Sequence, residues 1–241
     1  MNVDHISFTE CMNRVKQLGL KHTPSYICFA NVHMIIEAYR DISFQHKVNN
    51  ATMVVADGKP VAAACKWLYA KNQERIAGMD FLPGILAEAD KLSANIFLYG
   101  STDKILNALK KKINEKYPSV NIVGSVSPPF RKLTGEEQQK HIDAINASGA
   151  HFVMVSLGCP KQEIWMADNF HRINAVLLGV GGAFPVTAGI QKRSAKWMQT
   201  WGLEWLYRLT QEPARLFKRY FITNTLFIWL LGREMSKKIF A

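Results

Sequence analysis

GAHFVMVSLGCPKQEIWM, residues Gly149 to Met166, is the stretch whose reading decides the fold. His151 to Ser156 carries apolar and β-branched residues at both parities, the pattern of a strand buried on both faces. Leu157-Gly158-Cys159 turns the chain. Pro160 suits a first helical position, where no backbone N–H is needed, and Lys161 to Arg172 continues with helical spacing. A strand, a glycine turn and a helix start leave amides pointing outward, which suits an anion or a polar ligand. The same unit is also ordinary α/β architecture, so both readings stay open at this point.

The alternation extends in both directions from this unit. Tyr26 to Ala30, Thr52 to Ala56, Ile96 to Tyr99, Val120 to Val123 and Ala175 to Leu178 read as strands. Between them Ser7 to Leu18, Val32 to His46, Val61 to Tyr69, Asp80 to Ser93, Thr102 to Lys116 and Thr134 to Ser148 have helical periodicity, with Ser7 or Thr9 as the first cap. Strands alternating with helices predict a Rossmann-like α/β fold, a largely parallel sheet with helices on both faces. The expected organisation is a core over residues 1–195 and a basic helical C-terminal appendage over residues 196–241.

Bulk properties narrow the function classes. At 241 residues and 48% apolar content the chain buries a sizeable core, which excludes disorder as its main state. The net charge is +11, and between Gln191 and Ala241 ten Lys or Arg stand against three Glu, so +7 of it lies in the last fifth. Such a tail favours phosphate, whether on nucleic acid, anionic lipid or a diphosphate substrate. The four cysteines form no C-x-x-C pair and the seven histidines show no metal spacing, so neither a disulfide framework nor a metal site is expected. A reducing, cytoplasmic setting fits. The N-terminus carries no signal-peptide pattern, and Tyr220 to Leu231 is about half the apolar length a bilayer crossing needs.

In open parallel sheets, ligands gather at the carboxyl ends of the strands. The residues that follow the strands are Asn31, Asp57, Gly100-Ser101, Gly124-Ser125, Gly158 to Gln162 and Gly179 to Gly182. Asp57 is the one acid among them. Beside an apolar strand its pKa would rise toward the working range, as a general base requires. It is equally placed to cap the helix that starts near Pro60, and Asp-Gly is a common turn pair, so the cap is the commoner role for such a residue. Gly179-Val180-Gly181-Gly182 lets a diphosphate approach main-chain amides. No dinucleotide fingerprint, P-loop, G-x-S-x-G elbow or D-x-D pair is present, which argues against a dehydrogenase or an ATPase and leaves amides, Arg and Lys to neutralise phosphate.

In the tail, Pro213 divides two helices. Arg215, Lys218 and Arg219 share one face of the second, and Leu216, Phe217 and Tyr220 are read as its apolar side. Insertion at an anionic bilayer surface and docking of the apolar stripe on the domain are both open.

VVADG at 54–58, ERIAGMDF at 74–81, IFLYGS at 96–101, NIVGS at 121–125, SLGCPKQEIWM at 156–166, GVGGAF at 179–184 and GLEWLYRL at 202–209 occur in the order found in the WecG/TagA/CpsF bacterial glycosyltransferases, which the chain resembles from about Tyr26 to Arg219. The resemblance implies metal-independent, inverting transfer of a hexose, N-acetylhexosamine or uronic acid from a UDP donor to a polyprenyl-diphosphate-linked saccharide, without a cofactor. It implies an enzyme of surface polysaccharide synthesis, peripheral on the cytoplasmic membrane face and forming homo-oligomers. Asp57 would be the base and Arg75 and Gln162 further active-site residues. Asn31, Gly100, Ser101, Gly158, Lys161, Gln162, Glu163, Gly181 and Gly182 are the candidate donor-binding set. Arg208, Arg215 and Lys218, with Arg219 beside them, would grip the lipid diphosphate. Ala30 before Asn31, Pro128-Pro129-Phe130, Pro185 and Arg193-Ser194-Ala195 depart from the family pattern near the sugar pocket. The rival class is a non-enzymatic basic module binding nucleic acid or anionic membrane. The aromatic and aliphatic side of the tail argues against nucleic acid.

Overall fold

The computed structural model describes residues 1–239. Its strands are β1 (Ser25–Ala30), β2 (Met53–Ala56), β3 (Asn95–Gly100), β4 (Asn121–Val126), β5 (Phe152–Ser156) and β6 (Val176–Leu178). They form one all-parallel sheet in the order β2-β1-β6-β5-β3-β4. This is the Rossmann-like α/β architecture that the alternation predicted. Parity divides β1 between two cores. Ile27 and Phe29 join one apolar layer, and Tyr26, Cys28 and Ala30 join the other. In β5 the split is Phe152 and Met154 against Val153 and Val155. Strands buried on both faces need helices on both sides. α1 (Phe8–Leu20), α5 (Gly78–Lys91) and α6 (Asp103–Lys116) cover one, while α2 (Val32–Arg40), α3 (Ile42–Asn49), α7 (Gly135–Ala147) and α8 (Lys161–Asn169) cover the other.

Helix starts follow the capping chemistry. Ser7 accepts from Glu10 N–H, Thr102 from Ile105 N–H, and Thr134 with Glu137 forms a capping box. Gly124 and Ser125, expected to follow the fourth strand, lie inside β4, and three expected helix boundaries move. The helix expected over Val32 to His46 is broken at Asp41, whose Oδ1 accepts from Ser43 N–H at 2.8 Å and Phe44 N–H at 3.1 Å and so starts α3 afresh. The helix after Pro160 ends at Asn169 and finishes in a 3-10 turn, and Pro160 sits at its cap position instead of inside it. The helix after Asp57, α4 (Lys59–Tyr69), takes Gly58 as its N-cap with no side-chain bond.

Beyond β6 come α9 (Ala183–Thr187), α10 (Lys196–Thr200), α11 (Glu204–Gln211) and α12 (Pro213–Ile239). Pro213 opens α12, as expected of a residue that cannot continue α11. α12 packs on α2 and α4 through Phe227, Leu230 and Leu231. The expected apolar side of Leu216, Phe217 and Tyr220 is thereby corrected. Leu216 is fully buried, whereas Phe217 is 64% exposed, because adjacent residues lie about 100° apart around a helix. Phe217, Phe221 and Ile228 line an outward apolar face on the same helix. No described helix is long and apolar enough to cross a membrane.

Gly100 closes β3 with φ +107, and a Cβ there would lie 2.4 Å from Ser156 O. Gly100→Ala combines a strained backbone with a clash against main chain that has no rotamer to yield. It is expected to cost about 3 kcal/mol, read as a lowered midpoint in urea unfolding.

Candidate active site

A cavity of about 930 Å³ lies over the carboxyl ends of the strands, within the size range of ligand sites. Asp57 stands at its β2 end. Asp57 N–H donates to Ala30 O at 2.8 Å, which ties the residue to the end of β1. Because Gly58 takes the cap position of α4, the Asp57 carboxylate performs no capping. It faces the cavity, walled by protein yet in reach of solvent. Burial pushes its pKa up to about 7; the positive charges of Arg75 and Arg208 oppose the rise, and Glu204 and Asp80 add to it. At neutral pH a carboxyl in this state exchanges protons readily, the property a general base needs.

Asn31, Ser101, Gly158, Gln162, Glu163, Gly181 and Gly182 also line the cavity. Asn31 Oδ1 is committed to the cap of α2, accepting from Met34 N–H at 3.1 Å. Ser101 adopts φ +65, with its N–H on Ser156 O at 2.8 Å and its carbonyl accepting from Ser127 Oγ at 2.9 Å. Gln162 is buried beneath the glycine turn. Its Nε2 donates to Gly179 O at 2.8 Å and to Glu163 Oε1 at 2.9 Å, while its Oε1 has no partner. Burial pushes the Glu163 carboxyl up. Gln162 therefore shapes the loop that a ligand would meet, and its remaining acceptor is free.

Four of the expected site residues do not line the cavity. Gly100 closes β3 onto β5, Lys161 projects into solvent, and Lys218 lies on the outer side of α12. Arg75 stands behind Asp57, placed there by Ile76 N–H donating to Ala56 O at 2.8 Å, and is ion-paired to Asp80 at 2.9 Å and to Glu204 at 3.4 Å. Its charge bears on Asp57, but its guanidinium is already engaged.

The positive wall comes from the C-terminal segment. Of the four arginines lining the cavity, Arg193 pairs with Asp80 and Arg215 with Glu212, whereas Arg208 and Arg219 have no carboxylate at ion-pair distance among the described residues. Arg208 packs against the glycine turn, its Nη2 2.9 Å from where a Gly182 Cβ would stand. The Arg219 Nε is buried without a partner. A glycine turn, two guanidinium groups without a carboxylate partner among the described residues and a carboxylate at one end suit an anionic ligand reacting beside a base.

A family model described as the Glycosyl transferase WecG/TagA/CpsF family matches residues 1–239. The chain belongs to this family. It is a glycosyltransferase family that serves cell-envelope polysaccharide synthesis. In this glycosyltransferase fold, sequence reasoning missed His33 and Glu204, and named Arg193 only as a departure from the family pattern near the pocket; all three line the cavity. His33 Nδ1 is 3.7 Å from Glu37 Oε1, and burial, then the Arg219 charge, pushes its pKa down, so the ring is neutral at pH 7. Its position two residues after Asn31, at a strand end, was the available signal. The pairing of Arg193 and Glu204 gave none, because their partners are distant in sequence. Among the described residues no three His, Cys, Asp or Glu side chains gather as a metal-ligand set.

Proposed function

We propose that this chain is an inverting UDP-sugar glycosyltransferase that acts on a polyprenyl-diphosphate-linked saccharide with Asp57 as general base. The observation that carries this reading is the Asp57 carboxyl, free of capping duty, facing the cavity with its pKa pushed up to about 7. In the step, the acceptor hydroxyl oxygen attacks the anomeric carbon from the face opposite UDP. The anomeric C–O bond to the β-phosphate breaks, its electron pair leaves on UDP, and the hydroxyl proton passes to Asp57. Arg208, Arg219 and the Gly182 amide neutralise the departing diphosphate, the Gly181 N–H being donated to Val155 O at 3.1 Å, so a divalent ion has no required place.

The order of the sheet supports an orientation for the donor. Asp57 follows the β2 edge, the glycine turn follows central β6, and Ser101 and the exposed Phe130 follow β3 and β4. Five strand spacings, about 24 Å, separate the edges. The sugar would lie at β2, the diphosphate over β6 and the nucleoside toward β4.

The outward face of α12, with Phe217, Phe221 and Ile228 about two-thirds exposed and Lys218 nearby, supports peripheral docking on an anionic membrane at its cytoplasmic side. Assembly into homo-oligomers on that surface belongs to the same reading. The deciding experiment is a screen of UDP-sugars against a polyprenyl-diphosphate saccharide, with the product linkage determined. Transfer with inverted configuration that survives EDTA is expected. Activity lost to chelator and restored by Mg²⁺ or Mn²⁺ would overturn the metal-free step. Flotation with anionic liposomes, set against a gel shift with nucleic acid, tests the surface reading, and only the liposomes should bind.

A further inference from the structure

Four charged side chains from distant parts of the chain meet between Asp57 and the C-terminal helices. Arg75 Nη2 lies 2.9 Å from Asp80 Oδ2, and Arg75 Nη1 lies 3.4 Å from Glu204 Oε2. Arg193 Nη2 lies 2.7 Å from Asp80 Oδ1 and 3.7 Å from Glu204 Oε1. Each acid lies within ion-pair distance of both cations, so the four close a neutral ring in which Arg75–Asp80 is the hydrogen-bonded link and the other three are held by charge. All are partly shielded, Arg75 most at 13% exposure, so salt screens them less than an open surface pair.

α11 packs on α12, with Trp205 edge-on to Tyr220, and Gln211 Nε2 donates to Lys192 O at 3.2 Å. The ring matters because, besides these contacts, it is what ties α11 to α5 and the segment before it. Neither α10 nor α11 contains a buried residue, whereas α12 is held on α2 and α4 by its apolar side. Glu204 is the first residue of α11, and Arg208 follows four residues later on the same helix face. Holding Glu204 therefore fixes where the Arg208 guanidinium enters the cavity, against Gly182.

We infer that Glu204 is a positioning residue which, through the ring with Arg75, Asp80 and Arg193, locks α11 over the cavity and aims Arg208 at the diphosphate. This rests on the glycosyltransferase reading only for the identity of the ligand. The ring also sets the charge around Asp57. The charged groups facing Asp57 are Arg75 from the segment before α5, Asp80 from α5, and Glu204 and Arg208 from α11. While Glu204 and Asp80 hold Arg75, its charge bears less on Asp57. Removing the Glu204 charge takes away one acid and frees one cation, both of which favour the ionised carboxylate. This outweighs the opposing effect of a withdrawn Arg208, because Glu204 bears on Asp57 more than Arg208 does.

The test is Glu204→Gln in the full chain, with three readouts that need no turnover. Amides of α11 should exchange with solvent at least about tenfold faster. The dissociation constant for UDP, by calorimetry, should rise about tenfold. The Asp57 carboxyl carbon, followed by ¹³C NMR, should titrate at lower pH than in the parent protein. Arg193→Gln should reproduce the faster exchange and Arg193→Lys should not, which separates loss of charge from loss of packing and supplies a second variant if the first folds poorly. Unchanged exchange in both charge-removing variants overturns the ring, and faster exchange with UDP affinity and the Asp57 titration unmoved overturns the positioning role. A parent protein that binds no UDP would instead sink the donor reading, leaving exchange and titration to judge the ring.

Discussion

Asp57→Asn is expected to lower turnover by about 10²- to 10⁴-fold while leaving UDP affinity nearly unchanged, because the variant keeps the shape of the site and loses only the proton acceptor. In the parent protein the base must be ionised, so kcat/KM should rise with pH through about 7 and level off above it. The same carboxyl makes a stability prediction of opposite sense. Its folded pKa is raised above the unfolded value near ~3.9, so between those values the folded state binds the proton more tightly. Stability contributed by the protonated form is complete below about pH 4 and is lost as pH rises through about 7. Removing the charge should make Asp57→Asn about 1–3 kcal/mol more stable than the parent at pH 8, allowing for the carboxyl's contact with solvent in the cavity, with no advantage at pH 4. A capping Asp would behave otherwise. Asn caps about as well as Asp, and a cap would leave turnover intact. Equal turnover in variant and parent removes Asp57 from the chemistry.

That the capping role of Asp57 needed coordinates to be set aside shows where sequence reading stops. Asp-Gly after a strand and before a helix is more often a cap than a base, and what removes the cap is which residue takes the cap geometry. Here it is Gly58, at φ +105. The strands were legible because burial on both faces leaves an apolar run with no polar parity, as in β1 and β5. The break at Pro213 was legible because it depends on one residue's missing N–H. The break at Asp41 was not, since Asp within a helical pattern is tolerated until its side chain finds the next amides. The apolar residues of α12 were visible but not their division into a docked and an outward side, which needs the position of α2 and α4. Least legible was the charge ring. Arg75 and Glu204 are separated by more than half the chain, and no local spacing foretells that the cation behind Asp57 is already paired.

Pairing also decides which cation should matter most to the leaving group. Arg75, Arg193 and Arg215 each have a carboxylate partner, whereas Arg208 and Arg219 have none among the described residues. Arg208 is the one packed against the glycine turn. Arg208→Ala is therefore expected to lower kcat/KM by about 10²-fold, the scale of losing one preorganised donor to developing negative charge. Arg208→Lys should recover only part of this, since an ammonium lacks the fork that meets two phosphate oxygens. Gly182→Ala should cost less than Arg208→Ala, because the new methyl group meets the far end of a flexible side chain that can move aside. The pH profile gives an independent check. Arg208 holds the Asp57 pKa down, so Arg208→Ala should move the acid limb of kcat/KM to higher pH, opposite to the shift from Glu204→Gln. Two variants one helical turn apart on α11 that displace the same limb in opposite directions would locate its titrating group between them, at Asp57. Shifts in the same direction would mean that the limb belongs to another residue.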